Sequence, residues 1–128
     1  MSAQRKPLES GRIVLVEDDE DVRRSLTLLL RARGFTVEVY RSGVELLSNR
    51  VMPQADCFLI DYKMPKIDGL ELLSRLRESG VLAPALMITG FFSNTLKARA
   101  EAAGYSDVIE KPPAGNVVLE RMNAVLAG

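Results

Sequence analysis

Histidine is missing altogether from this 128-residue chain. Without an imidazole the chain has no Ser-His triad, no histidine metal ligand, no imidazole base and no phosphohistidine of its own. Cysteine occurs once, as Cys57. No intrachain disulfide is available to it, and inside an apolar run it reads as a small buried hydrophobe. An excess of one charge is missing too: 17 Lys and Arg stand against 17 Asp and Glu. That balance gives no support for a nucleic-acid or membrane surface. No apolar run approaches membrane-spanning length, and the N-terminal segment lacks the apolar core of a signal peptide. A cytoplasmic location without direct nucleic-acid or membrane contact is the expectation. Any chemistry must then use carboxylates, lysine, hydroxyls or a metal held by oxygen.

What is present is ordinary in composition and orderly in pattern. The length suits one domain, and 47% apolar with 27% charged residues suits a globular core. Residues 1–11 are polar, with Pro7 and Gly11, and read as a flexible leader; residues 12–128 read as the domain. Ile13-Val14-Leu15-Val16 is a continuous apolar run of the kind buried on both faces of a sheet. It ends in the acidic run Glu17-Asp18-Asp19-Glu20-Asp21. Val22, Leu26, Leu29 and Arg33 follow at helical spacing, with Gly34 as a C-terminal cap. Phe35 to Tyr40 predicts a second strand, and a short helix runs from about Ser42 to Ser48 with Ser42 as N-cap.

Cys57-Phe58-Leu59-Ile60-Asp61 is the third and central strand, an apolar run that closes on a carboxylate. After Met64-Pro65 and Asp68-Gly69, Leu70, Leu73 and Leu76 mark a helix ended by Gly80. Pro84 to Thr89 is another buried strand. An alanine-rich helix from about Ser93 to Ala103 is capped by Gly104, and its thin apolar face predicts the least firmly docked helix. Asp107 to Glu110 is a last short strand, Lys111-Pro112-Pro113 breaks the chain, and Val118, Met122 and Val125 line a final helix. Five strand–helix alternations predict a doubly wound α/β fold: a five-stranded parallel sheet with helices on both faces.

In such a sheet, functional groups collect beyond the carboxyl ends of the strands. Here the first strand offers Glu17, Asp18 and Asp19, the third Asp61, the fourth Thr89 and the fifth Lys111. Each has a plainer explanation. The acidic run suits helix capping and the helix dipole, Asp61 and Thr89 suit turns, and Lys111 suits a solvated surface. Polar groups of this kind at four separate strand ends make chance the weaker explanation.

Leu15-Val16-Glu17-Asp18-Asp19, Leu59 to Pro65 with Asp68-Gly69, Met87-Ile88-Thr89-Gly90 and Ile109-Glu110-Lys111-Pro112 together resemble the receiver domain of two-component response regulators, from Arg12 to about Leu126. The resemblance implies a flavodoxin-like fold with strand order 2-1-3-4-5. It implies that Asp61 is a phosphoacceptor, that Glu17 and Asp18 hold Mg2+ with Asp61 and the backbone carbonyl of Lys63, and that Thr89 and Lys111 are the family's hydroxyl and lysine. The implied activity is acceptance of phosphoryl from a sensor histidine kinase or a histidine phosphotransfer protein, and not enzymatic turnover. The last two helices and last strand become the expected output face, or a homodimer face. The bond before Pro112 is expected to be cis.

The residue types fit that chemistry independently. Crowded carboxylates raise one another's pKa unless a cation is present, and Mg2+ takes oxygen ligands. A carboxylate is a competent nucleophile toward phosphorus, and an ammonium neutralises charge on the transferring group. Some residues depart from the family pattern. Glu17 stands where aspartate is commoner, and Val108 where an aromatic switch residue is frequent, leaving Tyr105 either as a substitute or as a surface aromatic. Pro113 stands where an aromatic is common. Phe91-Phe92 reads either as a partly buried pair or as a shield or partner contact. Lys63 and Phe91 occupy the two positions that flank the site and tune water access in this family, and a bulky pair there implies slow autodephosphorylation.

Three other functions compete. A flavin carrier needs a phosphate-cradling loop after the first strand, where five acids stand instead. An aspartate phosphatase usually has a second acid two residues on, where this chain has Lys63. A phosphorylation-independent interaction module would typically have lost one of Asp18, Asp61, Thr89 or Lys111, and all four are present. With no output domain in the chain, either a single-domain regulator or the receiver part of a longer protein is expected.

Overall fold

A computed structural model describes residues 11–127. The expected leader therefore lies, but for Gly11, outside the described residues. Five strands alternate with five helices: β1 (Arg12–Val16), α1 (Glu20–Ala32), β2 (Thr36–Tyr40), α2 (Gly43–Leu47), β3 (Cys57–Asp61), α3 (Gly69–Glu78), β4 (Ala85–Thr89), α4 (Asn94–Ala103), β5 (Asp107–Glu110) and α5 (Gly115–Ala127). All strand pairs are parallel, in the order β2-β1-β3-β4-β5. The doubly wound α/β architecture expected from the alternation is the one found, and so is the flavodoxin-like strand order that the resemblance implies.

The sheet sorts its side chains by the two-residue period of a strand. Val14, Val16, Phe58, Ile60, Met87 and Val108 enter one core with Leu72, Leu73 and Leu76 of α3 and Leu96 and Ala100 of α4. Ile13, Leu15, Cys57, Leu59, Leu86, Ile88 and Ile109 enter the other, with Leu26 and Leu30 of α1 and Val118, Leu119 and Met122 of α5. Because β1 and β3 are buried on both faces, they show no polar alternation in sequence.

Caps set the helix limits. Asp19, Ser42, Asp68 and Ser93 each accept the backbone N–H three residues on. Gly104 closes α4 at φ +113°, a left-handed conformation that glycine adopts without strain. Three sequence-based expectations need correction. Arg33 is the exposed C-cap of α1 and not part of its inner stripe; Leu30, one residue beyond Leu29, is the side chain fully buried. In α3, Leu72 is fully buried and Leu70 only partly. Tyr105 is not a surface aromatic but is 3% exposed. Among the described residues no helix is long and apolar enough to cross a membrane.

Candidate functional site

The strand period that builds the two cores also aims the polar residues. Leu15 of β1 pairs with Leu59 of β3, so Glu17 and Asp61, two residues further on, extend the same face past the strand ends. Ile109 of β5 lies on that face as well, and Lys111 follows it by two. Lys111 Nζ accordingly sits 2.9 Å from Glu17 Oε2 and 3.1 Å from Asp61 Oδ1. Those side chains are 94 and 50 residues from Lys111 in sequence, and parallel registry alone brings them together.

Glu17, Asp18 and Asp61 each place a carboxylate oxygen within 4.8 Å of the others. Glu17 and Asp61 are buried and Asp18 is exposed, so the group opens to solvent on one side. Glu17 Oε2 accepts from Lys111 and from the Asp19 backbone N–H, while the buried Oε1 has no hydrogen-bond partner. A buried carboxyl oxygen left without a partner is costly unless a donor or a cation reaches it. Hard oxygen donors with an orphaned lone pair fit a divalent cation such as Mg2+.

Electrostatics say the same. Burial first, then the neighbouring carboxylates of Asp18 and Glu17, push Asp61 up to about 8, against the opposing pull of Lys111. Burial disfavours the Lys111 ammonium, but its hydrogen bond to Glu17 and the charges of Asp61 and Glu17 outweigh that and leave its pKa raised. The reading of Lys111 as a solvated surface lysine is thus corrected: it is a half-buried cation tied to two acids. Asp19 does only the plainer job. The Val22 N–H it caps holds its carboxyl below the ordinary value.

Thr89 ends β4 one residue beyond Ile88, the partner of Asp61, and is fully buried. Its Oγ1 accepts from the Phe91 N–H at 2.8 Å, which leaves the hydroxyl proton free to donate elsewhere. Its main-chain oxygen accepts from Lys111 N at 2.8 Å, locking the two loop starts together. The Lys111-Pro112 bond is cis, as expected. Phe91 is 61% exposed and Phe92 38%, so partial burial does not describe Phe91. Lys63 Nζ lies 5.3 Å from the centre of the Phe91 ring, a cation–π contact joining the loops after β3 and β4.

Two contributors have roles that the sequence pattern does not reveal. Arg23 Nη1 donates to the carbonyls of Glu17 at 2.9 Å and Asp18 at 3.3 Å, pinning the acidic turn to α1. Its sequence position alone reads as one more helical arginine. Gly69 is packed so closely that a Cβ would lie 2.6 Å from the Asp61 carbonyl oxygen. Its place in an Asp-Gly pair suggests a turn, and not a close approach to β3.

Residues 13–123 match the family model described as the response regulator receiver domain. Response regulator MprA of Mycobacterium ulcerans is 38% identical over 117 residues, covering 91% of this chain and 50% of that protein. The chain therefore spans about half the length of such relatives. A CheY-like response regulator receiver domain protein from Methanospirillum hungatei superposes with a TM-score of 0.83 at 28% identity, covering 91% of this chain and 93% of its own. The beryllofluoride-activated DrrB receiver domain shares the fold with a TM-score of 0.83 at 19% identity, over 93% of this chain and 99% of its own.

Proposed function

The chain belongs to the response regulator receiver family, and from that premise we propose that Asp61 accepts a phosphoryl group from a phosphohistidine on a partner kinase or phosphotransfer protein. Receiver domains are phosphoacceptors and not turnover enzymes, and these 128 residues include no histidine to act as the donor. The observation that carries the reading is the three-carboxylate group with Lys111 bonded to two of its members.

Asp61, ionised, attacks phosphorus in line with the departing imidazole nitrogen. A P–O bond forms, the P–N bond breaks, and its electron pair returns to the imidazole, which takes up a proton. Glu17, Asp18, Asp61 and the Lys63 carbonyl would hold Mg2+. Bound there, the ion supplies positive charge to keep Asp61 ionised and to offset the phosphoryl oxygens. Lys111 gives up part of its hold on Asp61 and turns its ammonium to the transferred group. Thr89, whose proton is free, donates to a phosphoryl oxygen and draws its loop inward. The resemblance puts Lys63 and Phe91 at the positions that flank the acceptor, and their cation–π contact supports a role in restricting water, which slows loss of the phosphoryl group.

The output surface is the face made by α4, β5 and α5. Asp107 ties it together, bonded to Arg121 at 2.5 Å and lying 3.9 Å from Lys97. A homodimer through that face is proposed for the phosphorylated form; sizing that shows one unchanged species with and without a phosphoryl mimic would remove this part. The site itself is tested by calorimetric titration with Mg2+ and beryllofluoride. Binding to the wild type and loss of beryllofluoride binding in Asp61→Asn is expected. Equal binding by both would place the ligand elsewhere, and no binding by either would favour a phosphorylation-independent interaction module.

A further inference from the structure

The switch position three residues before Lys111 holds Val108, a side chain with no large ring to rotate. Three residues earlier the chain places a tyrosine whose surroundings are unusual. Gly104 turns the chain out of α4, and Tyr105 N donates to Ala100 O at 3.0 Å, closing that turn. The ring is buried in the same core as Leu73, Leu76, Ala100 and Val108. Its hydroxyl donates to Gly69 O at 2.7 Å, a buried hydrogen bond across 36 residues of sequence.

The acceptor is no ordinary carbonyl. Gly69 begins α3, and its own N–H donates to Tyr62 O at 2.7 Å. Its Cα lies against the main chain of Asp61 and Tyr62, with no room for a side chain. The hydroxyl therefore reaches the backbone immediately behind the phosphoacceptor in two steps, Tyr105 to Gly69 and Gly69 to Asp61-Tyr62. At its other end Tyr105 is followed by Ser106, whose N–H donates to Ala85 O at 2.8 Å, and by β5. Among the described residues it is the α4–β5 side chain with a hydrogen bond to the N-terminus of α3.

We propose that Tyr105 is a positioning residue that links the backbone behind Asp61 to the α4–β5 junction, carrying the change at Asp61 to the output face through a fixed buried hydrogen bond in place of a rotating ring. This rests on the reading of Asp61 as the phosphoacceptor. A shift of the loop after β3 moves Gly69 O, and the phenol held on it moves with it or breaks away. Either event reaches Gly104 and the start of β5 directly, because the ring is buried in that close-packed core and joined through the chain to both. Burial, and next the Asp68 carboxylate, hold the phenol well above its ordinary pKa, so the group stays a donor.

Tyr105→Phe keeps the ring and removes only the hydroxyl. The experiment records amide NMR shifts of wild type and variant, each with Mg2+ and then with saturating beryllofluoride. Affinity for beryllofluoride should stay within about twofold of wild type. Ligand-induced shifts at Tyr62 and Thr89 should persist. Those at Ala100, Gly104, Ser106 and Val108 should fall to roughly half or less of their wild-type size. A variant that shows the full wild-type pattern in α4 and β5, whatever its melting temperature, makes Tyr105 a packing residue only and overturns the proposal. A wild type that binds no beryllofluoride overturns the site reading beneath it, a failure distinguishable because it precedes any comparison with the variant.

Discussion

Asp61 is a carboxylate held where its ionised form is disfavoured, and stability should report that directly. With its folded value near 8 and its ordinary value at 3.8, the metal-free folded protein binds more protons than the unfolded chain between those limits. The resulting stabilisation is fully present below about pH 4 and is lost as pH rises through about 8. Thermal melts in chelator should therefore show stability falling from about pH 5 to about pH 8. Asp61→Asn should flatten that fall and leave the metal-free protein about 1–3 kcal/mol more stable at the upper end. Mg2+ should restore the wild type and do little for the variant. A flat wild-type profile would contradict the assigned electrostatics. At the same scale, Lys63→Ala and Phe91→Ala should each speed loss of phosphoryl by roughly three- to tenfold if the pair keeps water out. An unchanged decay rate in both would refute the shielding role.

Single residues were unevenly readable from sequence. Glu17, Asp61 and Lys111 stand at the ends of recognisable apolar runs, and their convergence follows from strand period and parallel registry. Tyr105 and Arg23 act through partners 36 and 5–6 residues away, on carbonyls that sequence pattern does not reveal. Gly69 showed its turn propensity but not the close approach that demands glycine.

Among the elements, α4 buries two residues, Leu96 and Ala100, whereas α3 buries Gly69, Leu72, Leu73 and Leu76. Hydrogen exchange in the unphosphorylated protein should therefore be faster across Lys97–Ala103 than across Leu72–Glu78, a consequence of fewer buried apolar contacts. Protection in α4 equal to that in α3 would show that docking is not weak and that a shift of α4 is no low-energy response. Helix and strand identities were readable throughout, because Gly and capping residues punctuate the chain. The inner faces were less so. In α1, Leu28, Leu29 and Leu30 are consecutive leucines, and only tertiary packing decides that Leu30 is buried while Leu28 stays 65% exposed. In α3, Leu70, Leu72 and Leu73 pose the same ambiguity.

For the molecule as a whole, five parallel strands bring together residues that sequence separates by up to 94 positions, and all of them lie at one edge. That edge joins a carboxylate in need of a cation, a lysine already bonded to it and a buried hydroxyl with a proton to give. The alternating pattern made the topology class readable, whereas the strand order came from family resemblance, because parallel crossovers leave no local trace of which strands are neighbours. The central claim is that Asp61 takes phosphoryl with the help of a divalent cation. Intact mass after incubation with acetyl phosphate, with and without Mg2+, tests it most directly. One phosphoryl adduct, dependent on Mg2+, labile to hydroxylamine and absent from Asp61→Asn, is the predicted result; an undiminished aspartate-linked adduct on Asp61→Asn would contradict it.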